Sequence, residues 1–203
     1  MSAGRKPDDY GHRTSRKPPR RPPGRAAPRA AARNDLLNGG AAGVTLARVG
    51  SATGLARSSV YDYFGSSGDL LAEVAALAFG EWAADVRAAV VDADPGWPQL
   101  QTYVSRTLMM VSEGRHDIAA ALDKVDFTAA QRERFRDLHL DITEPMLRSL
   151  VYLDVPSPEA HAALIQGMVD GATRQVGHGA DAAQLSAITC ELIINGLPTV
   201  HVP

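Results

Sequence analysis

Beyond about residue 27, apolar positions recur every three or four residues, and no stretch sustains the period-two alternation of a half-buried strand. That pattern predicts an all-α chain. A first helix is expected from Ala27–Pro28 to Asn38-Gly-Gly40, with Pro28 in its first turn, Gly39 near its C-cap, and Ala31, Ala32, Leu36 and Leu37 packing inward. Two short helices follow between Thr45 and Phe64. A longer one runs from Asp69 to about Val91, where Leu70, Leu71, Val74, Leu77 and Trp82 keep helical spacing and Asp92-Ala-Asp-Pro-Gly96 stops it. Further segments are expected near 97–112, 115–124, 128–151, 157–176 and 181–195, separated by Gly114, Asp126, Pro156 and Gly177-His-Gly179. Pro145 removes a backbone donor inside the third of these and is expected to kink or split it. Ser157 before Pro158 reads as a helix cap.

The last two segments carry more apolar surface than one face needs. Ile165, Val169, Ala172 and Val176 form a stripe that Leu164 and Met168 widen, and Gly167 and Gly171 would allow another helix close approach. From Ala182 to Asn195 the only charge is Glu191, so this helix is expected to be covered on more than one side. Burial within one subunit and a self-complementary dimer interface both answer that pattern. The interface reading places Leu164, Ile165, Met168, Val169, Leu185, Ile188 and Leu192 in it.

The stretch from Thr45 to Phe64 carries the chemistry. Thr45 is a plausible N-cap, Leu46 and Val49 give the first short helix an apolar face, and Gly54 sits where a tight turn needs positive φ. In the second helix Val60 and Phe64, at i and i+4, face inward. Arg57, Ser58, Tyr61 and Asp62 then gather on the other side, where small polar groups, one cation and one phenol suit a DNA major groove.

At these residues the chain resembles the helix-turn-helix of TetR-family transcriptional regulators. The resemblance covers roughly residues 28–75 and continues through Tyr61-Asp-Tyr-Phe64, Gly65-Ser-Ser-Gly68 and Asp69-Leu-Leu71. Three departures accompany it: Ala56 where the family usually has Ser, Ser67 where it often has Lys, and the acidic Asp62. The resemblance implies an N-terminal three-helix helix-turn-helix DNA-binding domain over 28–75 and a C-terminal helical ligand-binding and dimerisation domain over 76–203. Its partners would be double-stranded DNA, a second copy of the chain and an unidentified small-molecule effector. Thr45, Arg57, Ser58, Ser59, Tyr61, Tyr63 and Ser67 are the candidate DNA contacts, with plain packing the other reading of Tyr63. For the effector pocket the candidates are Trp82, Tyr103, Met109, Met110, Phe127, Phe135 and His139, each of which also reads as ordinary core. Asp123, Asp126 and Asp141 could favour a cationic ligand or simply be solvated helix faces. The function implied is a ligand-responsive regulator, a repressor in the usual case, binding a two-fold operator as a homodimer. The alternative is a helical dimeric ligand- or protein-binding module with weak or no specific DNA binding.

Charge changes this picture at one end. The net charge of −2 conceals a basic segment over residues 1–27, where eight Lys and Arg stand against Asp8 and Asp9, and an acidic segment over 76–203, where nine basic residues face seventeen acidic ones. With five prolines and almost no large apolar groups, residues 1–27 are expected to form a disordered basic arm, either following the phosphate backbone or merely solubilising the chain. They lack the apolar core of a secretory signal, and no run is long enough to span a bilayer, so the chain is expected in the cytoplasm. Cys190 is the single cysteine, and His116, His139, His161 and His178 are too scattered for a metal-ligand pattern. No phosphate loop or dinucleotide glycine pattern occurs. The expectation is therefore a non-enzyme without cofactor or metal.

Overall fold

The computed structural model describes residues 24–122 and 125–195. Most of the basic arm, and Asp123, lie outside the described residues. Helix α1 (Ala26–Gly39) leads through a short 3₁₀ turn to α2 (Leu46–Thr53) and α3 (Arg57–Tyr63). The long α4 (Ser67–Val91) follows. The remaining helices are α5 (Trp97–Ser112), α6 (Asp117–Leu122), α7 (Ala129–Tyr152), α8 (Pro158–Gly177) and α9 (Ala182–Asn195). No strand occurs among the described residues.

Local chemistry sets most helix starts. The Thr45 hydroxyl accepts from the Arg48 N–H at 3.2 Å, so the expected cap of α2 is present. Helix α4 begins two residues before Asp69 because Ser66 accepts the Asp69 N–H at 3.0 Å. Helix α7 opens with a reciprocal capping box: Thr128 Oγ1 accepts from Gln131 N at 3.3 Å, and Gln131 Oε1 accepts from Thr128 N at 2.9 Å. Ser157 departs from expectation. It stands in the left-handed region at φ 50° and makes no side-chain cap bond, because that φ turns the chain into Pro158.

Pro145 does not split α7, which runs as one helix through it. A proline leaves the carbonyl four residues earlier without its helical donor. That carbonyl, Asp141 O, instead accepts from Arg87 Nη1 of α4 at 3.4 Å, and Ser149 Oγ donates to the Pro145 carbonyl at 2.9 Å.

Two hydrophobic clusters organise the chain. The first gathers Ala32, Leu36, Val49, Val60, Phe64, Leu70, Val74 and neighbours, and is completed from later sequence by Ile118 and Leu122 of α6. The second joins Val86 and Val90 to Leu100, Tyr103, Val104, Leu108, Met146, Leu150, Ile165 and Val169. At about 1.5 Å per residue, the 25-residue α4 is roughly 37 Å long, and it contributes its first half to one cluster and its second half to the other. Leu77, expected on its apolar stripe, is 42% exposed. Ion pairs reinforce the head: Arg25 and Arg29 reach Glu73 at 2.6 and 3.5 Å, and Arg33 reaches Glu81 at 2.9 Å. The shared face of Arg29 and Arg33, read as a phosphate-facing or solvated flank, is thus turned to α4.

The apolar stripe of α8 divides between two surroundings. Ile165 and Val169, named as interface residues, are 7% and 0% exposed and belong to the subunit's own core together with Ala172 and Val176. The reason is geometric: these four positions fall on the side of the helix that meets α5 and α7, whereas Leu164 lies off that side and is 71% exposed. On α9, Leu185 packs partly against the core, Leu192 is half-buried, and Ile188 is 44% exposed. Met168 is half-buried.

Candidate DNA-reading face and effector cleft

Helices α2 and α3 cross closely because their contact is nearly free of side chain. A methyl group built on Gly50 would lie 3.3 Å from Val60 Cγ2 and 3.4 Å from the Leu55 carbonyl. Gly54 makes the turn at φ 67°, a backbone that glycine adopts without penalty. Val60 and Phe64, 0% and 2% exposed, anchor α3 to the head core. Arg25 also lies over the Phe64 ring, its guanidinium carbon 5.7 Å from the centroid.

With α3 held on that side, Ser58, Tyr61 and Asp62 are exposed and Ser59 is half-buried. Arg57 opens the helix. Tyr63 is half-buried, with its ring tilted against Phe64 at 6.3 Å between centroids, so its bulk serves packing. Thr45 is exposed at the start of α2 with its hydroxyl engaged in the cap. Ser67 begins α4 half-buried, and its neighbour Ser66 does the capping. Ala56 stands at the N-cap of α3 and supplies no side-chain bond there.

A cleft of about 430 Å³, counting the open solvent at its mouth, lies among α4, α5, α7 and α8. Phe79 and Trp82 line it from α4, Tyr103 and Thr107 from α5, His139 and Ile142 from α7, and Gln166, Val169, Asp170 and Thr173 from α8. His116, in the α5–α6 connection, closes one side, its ring edge-on to Trp82 at 5.7 Å. A hydrogen-bonded chain crosses the cleft: the Tyr103 hydroxyl donates to Gln166 Oε1 at 2.8 Å, and Gln166 Nε2 donates to Asp170 Oδ1 at 2.7 Å. Burial, aided by the Asp170 charge, pushes the Tyr103 phenol well above its ordinary pKa. Burial also depresses the His116 imidazole, against the opposing pull of Asp117 and Asp170. Two polar atoms of lining residues, Trp82 Nε1 and Thr107 Oγ1, are buried without a hydrogen-bond partner, and Trp82 also borders a neighbouring groove with Arg33, Glu81 and Arg115.

Three of the expected pocket residues, Trp82, Tyr103 and His139, therefore meet in this cleft. Met110 is fully buried in the body core, and Met109, one residue away, is 48% exposed on a different open groove. Phe127 and Phe135 stack edge to face at 4.8 Å between centroids and pack against the head core without lining the cleft; Phe135 meets the cleft-lining Phe79 at 5.9 Å. Asp126 and Asp141 are exposed and do not line the cleft. Sequence reading missed Thr107, His116, Gln166, Asp170 and Thr173. The signal available was faint: on α8, Gln166, Asp170 and Thr173 sit at helical spacing beside the apolar stripe. Cys190 is half-buried against the body core, and burial pushes its thiol pKa up despite a hydrogen bond from Ser186. Among the described residues no group of three His, Cys, Asp or Glu is placed to hold a metal ion, and no helix is long and apolar enough to cross a membrane.

A compact three-helix head with one exposed polar helix, continued through α4 into a helical body with a cleft, is a helix-turn-helix architecture. Residues 29–74 match the family described as bacterial regulatory proteins, tetR family. Solved structures of similar fold include the transcriptional regulator FadR from Bacillus subtilis in complex with stearoyl-CoA, at TM-score 0.71 and 15% identity over 85% of this chain and 99% of that one. The TetR-family regulator PfmR from Thermus thermophilus superposes at TM-score 0.64, with 18% identity over 85% of this chain and 99% of that one. The superantigen PfiT does so at TM-score 0.68, with 17% identity over 84% of this chain and 94% of that one. No curated protein matches the sequence significantly. The head matches the tetR-family model, and the chain as a whole has the fold of TetR-family transcriptional regulators.

Proposed function

We propose that this protein is an effector-responsive transcriptional repressor that binds a two-fold operator as a homodimer in the cytoplasm. In this reading the head spans residues 28–75, the effector-binding and dimerising body spans 76–203, and residues 1–27 form a basic arm along the phosphate backbone. The observation that carries it is the disposition of α3: Val60 and Phe64 pin one side to the core, which leaves Ser58, Tyr61 and Asp62 outward. Arg57 at the start of the helix is the natural reader of a guanine edge or a phosphate. The exposed faces of α8 and α9, with Leu164, Met168, Ile188 and Leu192, provide the apolar surface for a second copy. An effector in the cleft among α4, α5, α7 and α8 would favour a dimer whose heads no longer match the operator spacing.

A competition gel shift on the promoter region beside the protein's own gene tests the proposal. Specific retention at physiological salt supports it. Binding that vanishes under competitor DNA favours the second reading, a dimeric ligand- or protein-binding module of this fold. The uncapped start of α3 at Ala56 and the exposed carboxylate of Asp62 are what favour that reading. Dimerisation has its own check: Leu164→Glu should give monomers in sedimentation without loss of helicity. For the arm, deleting residues 1–25 should reduce both DNA affinity and the salt slope, by about one unit for each phosphate contact removed.

A further inference from the structure

We propose that the cleft selects a compact aromatic molecule bearing a protonated amine and a hydrogen-bond acceptor, and discriminates against anions and long acyl chains. This inference rests on reading the cleft as the effector site.

Charge points to the amine. Among the described residues, Asp170 is the single carboxylate lining the cleft, and neither lysine nor arginine lines it. Gln166 donates to Asp170 Oδ1, which orients the carboxylate; the imidazoles lining the cleft are His139 and His116, and burial holds the His116 pKa below its ordinary value against the pull of Asp117 and Asp170. A carboxylate or phosphate entering here would meet like charge and no lysine or arginine among the lining residues. Trp82, Tyr103 and Phe79 supply ring surface, which attracts both an aromatic ligand and an ammonium group.

The orphaned polar atoms point to the acceptor. Thr107 is a 4% exposed side chain whose Oγ1 has no partner, and Trp82 Nε1 is likewise buried and unpaired. An indole N–H can only donate, so its missing partner is an acceptor. Leaving such groups unmade is unfavourable, and a ligand oxygen or ring nitrogen that meets them recovers the loss. Size adds the last limit. The cleft holds about 430 Å³ even when the open solvent at its mouth is included, far too little for an acyl-coenzyme A of the kind bound to the Bacillus subtilis structure.

The experiment uses the full chain carrying Trp97→Phe, so that Trp82 is the one tryptophan left of two. Trp97 is 36% exposed, so the substitution should leave the fold intact. Phenethylamine and tyramine, the matched acids phenylpropionate and hydroxyphenylpropionate, and stearoyl-CoA are titrated against Trp82 emission and melting temperature. The amines should shift the emission and raise the melting temperature. Asp170→Asn should weaken them at least tenfold, and Thr107→Val should weaken them several-fold without lowering the melting temperature of the free protein. That last pairing separates ligand contact from structural support, since removing an unpaired buried hydroxyl should not destabilise. If the acids or stearoyl-CoA shift Trp82 emission while the amines do not, or if Asp170→Asn binds amines as well as the parent, the ligand class is wrong and the cleft stands as a site. If no probe changes Trp82 emission, the cleft reading and the class fall together.

Discussion

The head and the body are both small helical cores built on the same long helix, yet they expose their chemistry differently. The head turns a short polar surface outward: Ser58, Tyr61 and Asp62 of α3 are exposed because Val60 and Phe64 are locked beneath them. The body turns its chemistry inward, where a cleft gathers side chains from α4 to α8 that lie as far apart as Phe79 and Thr173. An outward-facing patch on one helix can be assembled from neighbours four residues apart. A cleft between helices needs partners brought from distant parts of the chain. The two cores are nonetheless continuous. Ile118 and Leu122 enter the head core only two and six residues after His116 lines the cleft, and α4 crosses from one core to the other.

The sharpest way to test that continuity is Phe64→Ala. Deleting a 2% exposed phenylalanine should cost about 3–5 kcal/mol in urea unfolding and abolish specific DNA binding. In the Trp97→Phe background, Trp82 emission, which senses the cleft, should follow the same single transition as far-UV helicity. A separate, earlier head transition would show that the two regions are thermodynamically independent. Next in size, Arg57→Ala should cost roughly 1–3 kcal/mol of operator affinity with stability unchanged if it reads a base. An equal loss on every DNA sequence would reduce it to a phosphate contact. Thr45→Ala should cost about 1 kcal/mol in stability through loss of the α2 cap, with DNA affinity falling only as the folded head becomes scarcer. A larger loss of affinity than of stability would make Thr45 a DNA contact as well.

The smallest effect concerns the body. Burial depresses the His116 pKa in the folded state, while Asp117 and Asp170 oppose that shift. Protons therefore bind the unfolded chain first, so stability is undiminished above the unfolded pKa of about 6.5 and falls as pH drops below it toward the folded value. His116→Gln should flatten the part of the stability profile that belongs to this group between about pH 7.5 and 5.5, a unit either side of that unfolded value. An unchanged profile would mean that the imidazole is as readily protonated beside Trp82 as in water.

Helix content, the turn at Gly54, the Thr45 cap and the inward pair Val60 and Phe64 were all legible because each depends on residues within a turn or two of one another. The capping box of Thr128 and Gln131 was equally local and was overlooked. Where local rules misled, a tertiary neighbour intervened. Arg87 supplies a donor to the carbonyl freed by Pro145, so α7 continues, and the acids of α4 draw in the arginines of α1. Of the expected pocket residues, Trp82, Tyr103 and His139 reached the cleft while Met109, Met110, Phe127 and Phe135 went elsewhere. Apolar character predicts burial without saying in which of two cores.

By itself the amino-acid order determined an all-helical chain with a helix-turn-helix near its start, since caps, turn glycines and three-to-four spacing act through short covalent separations. Only the packing of distant helices decided which arginines face acids, which side of α8 stays outside, and that Asp170, Thr107, Trp82 and His116 share one cleft. Side chains far apart in sequence become neighbours only once the chain between them has folded back, and no local pattern records where that return ends.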